Sequence, residues 1–346
     1  QKLDYINKLI DAKFLNKVNE SDLEDGIYKG LLEGLNDPYS VYYTAEEYRK
    51  MMEQTSGTYS GIGALVSQNA ETGIITVVKA FADAPAAKAG VKNGDIIYKV
   101  KGKEVTGVDI NNVVTEMKGE KGTTVDITVY RESEKKYIDF TITRDQVNEP
   151  TVEYKMLDKK KKIGYIQISQ FEEVTYDQFT KALDDLKKQG MKAVIFDVRS
   201  NPGGLYETVC KMLDEILPEG NLVSTKDKYG NEEKQTSDSK CLDMPMVVLQ
   251  NKDSASASEI FAGAIQDFNA GKIVGTQSFG KGIVQTILPL SDGSAVKLTV
   301  QDYYTPSGKN IHGKGITPDV EVELEENATS DTQLEKAKET IMELMK

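Results

Sequence analysis

Histidine occurs once in the 346 residues and cysteine twice. No apolar run approaches the roughly 18 to 20 residues that cross a bilayer. One His and two separated Cys offer no cluster for a metal, and no cofactor is expected. Basic residues are short as well: Lys+Arg number 43 against Asp+Glu 55, for a net charge of -12 and a pI of about 4.9. That argues against a nucleic-acid partner, because no basic footprint is there to release counterions. Cys210 lies among Val209, Met212 and Leu213 in a helical pattern. A buried free thiol is its plain reading, with a disulfide to Cys241 as the alternative. The chain starts at Gln1 rather than Met and shows no signal peptide. The expectation is a processed or truncated chain whose targeting segment has been removed, which leaves a membrane anchor there open.

What is present fits a soluble globular protein: 39% apolar and 28% charged residues. The length suggests two or three domains. Leu3, Ile6, Ile10 and Phe14 recur at helical spacing, as do Leu23, Ile27, Leu31 and Leu35. Gly26, Gly30 and Gly34 share one face of that second pattern. Packing inside the monomer is the plain reading of the face, and a helical dimer contact the sharper one. "LNDPYSVYYTAEEY" (35–48) is a turn and an aromatic stretch, and Thr44 begins a helix with Glu46 and Glu47 in its first turn. Over 57–143 short strands surround two small helices, the second ending at Gly119. From about 150, strands and helices alternate, which implies an α/β layered core. "AVIFDV" (193–198) has the apolar run of a doubly covered strand. Asp331 to Lys346 reads as a last helix.

"SASASE" (254–259) stands at a strand-to-helix junction, where α/β proteins place reacting groups. A helix starting there aims free N–H groups at its first residues, an arrangement that favours an oxyanion. Ser256 and Glu259 also match a capping box, so Ser256 has a purely structural alternative. The flanking alanines leave room for a substrate backbone, which a cap does not need. The proton acceptor must come from elsewhere. His312 sits in "GKNIHGKG", a polar loop. A lysine needs no imidazole but must be desolvated or placed near other cations. Lys281 lies between Gly280 and Gly282, beside Phe279 and Ile283. Gln285 is four residues on. The two meet only if the backbone bulges near Gly282 or Lys281 folds along the strand. "FDVRSNPGG" (196–204) ends a strand on two glycines whose N–H groups are unshielded, as an oxyanion hole needs. Asp197 and Arg199 read as a structural ion pair.

Together "LNDPYSVYYTAEEY", "GIGALV", "PAAKAGVKNGDII", "FDVRSNPGG", "SASASEI", "FGKGIVQ" and "YYTPSGKNIHGKGITPDVEV" resemble the carboxyl-terminal processing peptidases, tail-specific serine proteases with a Ser–Lys dyad. The resemblance spans roughly residues 30 to 325. It implies Ser256 as nucleophile, Lys281 as general base and Gln285 as its orienting residue. It also implies an oxyanion hole from the N–H groups of Gly203, Gly204 and Ala257. Ser254 and Ser258 become supporting residues, and no histidine takes part. Asp253 and His312 stand where many relatives have glycine and glutamine. The small domain resembles a PDZ module. Gly61, Ile62, Gly63 and Ala64 would receive a peptide's free carboxylate, with Ile62 lining the pocket for its last side chain, and the tail would add as a strand.

The fold class expected is α/β multidomain: a helical N-terminal region (1–56), a PDZ-like β-rich module (57–143), an α/β layered protease core (144–325) of ClpP/crotonase-like form by resemblance, and a C-terminal helix (326–346). The function expected is a serine endopeptidase, a hydrolase, that takes protein substrates with free, apolar C-termini. Its expected location is extracytoplasmic, and a homodimer would use the N- or C-terminal helices. The rivals are a non-catalytic peptide-binding or chaperone-like protein on the same scaffold, and a different serine hydrolase such as an esterase.

Overall fold

A computed structural model of the chain describes residues 1–324 and 330–346; the expected boundary at 325/326 lies outside the described residues. Helices α1 (Lys2–Lys13) and α2 (Glu20–Glu33) form at the predicted spacing. α1 buries nothing, and α2 buries only Leu32. A Cβ built on Gly26 or Gly30 would meet no atom within 4 Å, so this face is not packed inside the chain as the plain reading held. Strand β1 (Val41–Tyr43) leads into α3 (Ala45–Ser56). Thr44 fixes the start of α3: its N–H donates to the Glu47 carboxylate at 2.9 Å, and the Glu47 N–H donates to the Thr44 hydroxyl at 3.3 Å. Gly57 at φ 64° ends it in the left-handed region open to glycine.

The next region runs β2 (Thr58–Gly61), β3 (Ala64–Gln68), β4 (Ile75–Ala80), α4 (Pro85–Ala89), β5 (Ile96–Val100), β6 (Lys103–Glu104), α5 (Ile110–Met117), β7 (Thr124–Arg131), β8 (Lys136–Thr143) and β9 (Asp145–Asn148). Its sheet has the order β3-β4-β5-β7-β8, with β6 on β5. Strand alternation turns Val125, Ile127 and Val129 inward against Ile75, Ile97 and the Val113 and Met117 side chains of α5. β3 is an edge strand. β2 and β9 leave this sheet and pair with each other, Thr58 opposite Asn148 and Gly61 opposite Asp145. The chain thus enters and leaves the module along one two-stranded ribbon. At its foot the Glu149 N–H donates to the Gly57 carbonyl at 2.8 Å.

The core follows as β10 (Val152–Asp158), β11 (Ile163–Ile168), α6 (Thr175–Lys188), β12 (Ala193–Asp197), α7 (Tyr206–Asp214), β13 (Gly220–Asp227), β14 (Glu232–Ser237), β15 (Met246–Gln250), α8 (Ala257–Asp267), β16 (Gly271–Gly275), β17 (Ile283–Pro289), β18 (Ala295–Tyr304), β19 (Val320–Glu321) and α9 (Thr332–Leu344). One sheet has the order β10-β11-β12-β15-β16-β19 and is parallel except at β10. β12 and β15 are buried along their whole length, as their apolar runs require. One face packs Phe179, Phe196 and Phe261 in the main core. α9 covers the other, burying Ala337 and Ile341 with Ile195, Val247 and Leu249. Arg199 joins β12 to that helix, pairing with Asp197 at 2.6 Å and with Asp331 at 2.8 Å.

A second sheet has the order β1-β18-β13-β14, with β17 on β18. The β13–β14 hairpin has no clear sequence signal, since its second strand reads EEKQTS. β1 pairs with β18, Val41 opposite Lys297, so the 35–48 stretch is built into this sheet rather than set apart with the N-terminal helices. Both cysteines are free, Cys210 buried and Cys241 exposed. Among the described residues no helix is long and apolar enough to cross a membrane.

Candidate active site

A cleft of about 1040 Å³ is lined by Ser256, Ala257, Gly203, Gly204, Lys281 and Gln285 together. Three separate loops meet there, each reached from a different strand.

Ser256 precedes α8 with φ 55° and ψ -114°. This is glycine territory, and holding a serine in it costs on the order of 1–3 kcal/mol. Surrounding contacts fix the residue. Only one half of the expected capping box is made: the Glu259 N–H donates to the Ser256 carbonyl at 2.8 Å, not to its hydroxyl. The half that forms is the Glu259 carboxylate, which accepts the Ser256 N–H at 2.9 Å. The Tyr303 hydroxyl donates to the Ser256 carbonyl at 3.2 Å. The neighbouring serines are committed elsewhere. Ser254 Oγ donates to the Val198 carbonyl at 2.7 Å, and Ser258 Oγ to the Asn201 carbonyl at 2.9 Å.

Glu259 does more than cap. Its fully buried carboxylate also accepts from Ser278 Oγ at 2.5 Å, the Gly280 N–H at 2.7 Å and the Lys281 N–H at 2.8 Å. One charge therefore ties the serine loop to the lysine loop with charge-assisted bonds. The S-x-x-E pattern signals only the local half of this role.

Gly203 has φ 108°, and a Cβ there would stand 2.8 Å from Ser256 Cβ and 3.1 Å from the Ala257 nitrogen. The glycine is needed for that close approach. Its N–H, however, donates to Asn201 Oδ1 at 2.9 Å. The sequence counted this N–H for an oxyanion hole; the structure commits it to a side chain two residues back. Among the described residues the N–H groups of Gly204 and Ala257 have no acceptor.

Lys281 is half-buried. Burial, and then the positive charge of Lys297, hold its amine below the ordinary lysine range, while Asp37 and Glu259 push the other way. Its Nζ lies 4.4 Å from the centroid of the Tyr39 ring. No hydrogen bond joins it to Ser256 or Gln285 among the described residues. Gln285 Nε2 donates instead to Thr299 Oγ1 at 3.2 Å. The pairing of β17 with β18 does contain a bulge, between Val284 and Gln285 rather than at Gly282. Gly282 serves a close approach: a Cβ there would lie 2.5 Å from the His312 nitrogen. His312 and Asp253 are exposed.

In the small module, Gly61, Ile62 and Gly63 are buried and Ala64 opens the edge strand β3. Ile62 is 4% exposed and packs into the module's own core, so its side chain does not line an open pocket as expected. Gly63 at φ 76° has no room for a side chain, because a Cβ there would collide with the Cβ of Ala84. Asn201, Asp37, Tyr39 and Thr299 have no local motif that marks them as neighbours of the site. Only the place of Asn201 in the segment 196–204, and of Asp37 and Tyr39 in 35–48, hinted at it; nothing pointed to Thr299.

The comparisons agree with this architecture. Residues 162–322 match the model of Peptidase family S41, 60–142 that of the PDZ domain, and 1–47 that of the activating protease CtpB N-terminal domain. The carboxy-terminal-processing protease of Bartonella bacilliformis is 39% identical over 322 residues, 91% of this chain and 73% of that protein. A "Probable CtpA-like serine protease" of Staphylococcus epidermidis is 38% identical over 326 residues, and the chain spans 65% of its length. Among solved structures, a photosystem II D1 C-terminal processing protease is 28% identical with a TM-score of 0.55, over 99% of this chain and 91% of that one. The fold is that of the Peptidase family S41 proteases, carrying a PDZ domain. The chain belongs to the carboxy-terminal-processing proteases of peptidase family S41.

Proposed function

We propose that this chain is a serine endopeptidase that acylates Ser256, with Lys281 as general base and Gln285 as its orienting residue. The oxyanion of the tetrahedral intermediate is held by the N–H groups of Gly204 and Ala257. The PDZ module captures the free C-terminus of a protein tail, which adds as a strand to the open edge of β3. The proposed setting is extracytoplasmic.

The observation that carries this reading is the cleft in which a strained serine, two unsatisfied N–H groups and a desolvated lysine converge. In the reaction, neutral Lys281 takes the Ser256 proton as Oγ attacks the scissile carbonyl. The same ammonium then returns that proton to the leaving amine. Water, deprotonated by Lys281, hydrolyses the ester and restores the serine.

Lys281→Ala and Ser256→Ala should each abolish casein digestion and leave the fold unchanged by circular dichroism. Cleavage at the wild-type rate by either variant overturns the dyad. Amidating a peptide's C-terminus should weaken its binding, and equal affinity would remove the tail-capture step. A second reading, a peptide-binding protein on this scaffold, is favoured by the missing bond between Lys281 and Ser256. A fluorophosphonate adduct on Ser256 would eliminate it.

A further inference from the structure

Lys281 and Gln285 are the residues assigned to activate Ser256, yet each is held by something else. The holder is the same in both cases: the turn at 37–40, far away in sequence. Asp37 Oδ1 accepts the Tyr39 N–H at 3.1 Å, and Asp37 Oδ2 accepts the Ser40 hydroxyl at 2.5 Å. Ser40 Oγ in turn accepts the Thr299 N–H at 3.0 Å, and Thr299 Oγ1 accepts from Gln285 Nε2 at 3.2 Å. From the other side of the turn the Tyr39 ring faces the Lys281 ammonium at 4.4 Å. A ring face favours an ammonium over a neutral amine. Burial alone would raise the Asp37 carboxyl, but Ser40, Thr299, the Tyr39 N–H and Lys281 together hold it below its ordinary range, and so charged.

We propose that Tyr39 and Asp37 are positioning residues that hold the base: the 37–40 turn keeps Lys281 as an ammonium on the Tyr39 ring and Gln285 on Thr299, away from Ser256. The proposal rests on the Ser–Lys reading above and adds to it the element that governs when the base is available. The turn lies between α2 and β1, and β1 is a strand of the sheet that carries Lys297 and Thr299. Movement of the N-terminal helices is thereby connected to the base.

The other groups around Lys281 can be named. Lys297 on β18 opposes the ammonium, and Glu259 on α8 favours it. Tyr303 on β18 is buried, and burial drives its hydroxyl far above the usual range, so it stays neutral. His312, on the loop behind Gly282, is exposed. Tyr39 and Asp37 are therefore the groups outside the protease loops that favour the charged amine.

The test is to titrate Lys281 directly in the full chain, by the pH dependence of its acetylation with trace acetic anhydride, read by mass spectrometry of its peptide. Tyr39→Leu keeps an apolar cover but loses the ring face. Its midpoint should fall by about one pH unit, and Asp37→Asn should move the same way. Tyr39→Phe keeps the ring and should retain the wild-type midpoint. The acid limb of kcat/KM on a peptide should follow, so that below the wild-type midpoint Tyr39→Leu cleaves up to about ten-fold faster. Unmoved midpoints in folded Tyr39→Leu and Asp37→Asn overturn the proposal, as does a Tyr39→Phe midpoint equal to that of Tyr39→Leu. If the midpoints move as stated while even the wild type fails to cleave, the proteolytic reading falls and the holding role stands.

Discussion

Two buried glutamates, one at the junction that carries Ser256 and one at the foot of the PDZ ribbon, are handled in opposite ways. Glu259 is fully enclosed and every donor around it is aimed at its carboxylate. Glu172 is 6% exposed, but its Oε2 has no hydrogen-bond partner among the described residues. Burial, and then the charge of Glu149, raise its carboxyl to about 7. It sits against Gly57 and lines the same cleft. The first site is built to be rigid, because its loops must stay in register. The second is built at a cost, where the module's ribbon meets the core. A satisfied carboxylate fixes geometry, and an unsatisfied one leaves the local structure easy to displace.

Breaking Glu259 should have the largest effect. Glu259→Ala leaves one hydroxyl and three N–H groups buried without an acceptor, which costs on the order of 4 kcal/mol. Urea unfolding should show that loss, and fluorophosphonate labelling of Ser256 should disappear with it. A variant within about 1 kcal/mol of wild type would mean that water replaces the carboxylate.

At the ribbon the sign is reversed. An unfolded glutamate titrates near ~4.3, below the folded value, so the protonated form is the one the fold favours. Stability from this group is complete below pH ~4.3 and is lost as pH rises through about 7. Glu172→Gln should therefore unfold later than wild type at pH 8, by on the order of 2–3 kcal/mol, and equally at pH 4. Identical pH dependence in the two proteins would contradict a burdened carboxyl.

The smallest change sharpens the Ser256 side. Ser256→Gly relieves the backbone strain, and thermal melting should show a gain of about 1 kcal/mol as labelling vanishes. A loss of stability would mean that the serine side chain carries more packing than its open position suggests.

Much of this was legible in the chain. The strand-to-helix junctions, the start of α3 at Thr44, and the apolar runs of β12 and β15 follow from local pattern. The choice of Ser256 over its neighbours rests on the resemblance of the ordered motifs, and the structure adds that the Ser254 and Ser258 hydroxyls are committed to backbone carbonyls. What stayed hidden lies in long-range geometry. Nothing in the spacing of Asn201 and Gly203 says that the side chain takes the very N–H an oxyanion would want. The pattern of GIGALV does not say whether Ile62 faces a pocket or the core, because a half-buried strand permits both. Tyr39 and Lys281 are joined only by the pairing of β1 with β18 and of β17 with β18, register that depends on the folded sheet.

The ribbon of β2 and β9 carries one more implication. Its two ends are already in contact where Glu149 meets Gly57, so the core would see almost the same backbone if everything from 58 to 148 were exchanged for a short turn. An insertion made this way leaves the strand order of the core untouched, with Lys79 of the module paired to Glu153 of the core at 2.7 Å. One proteolytic chassis can thus be refitted with different recognition heads, or stripped of them, without redesigning its interior.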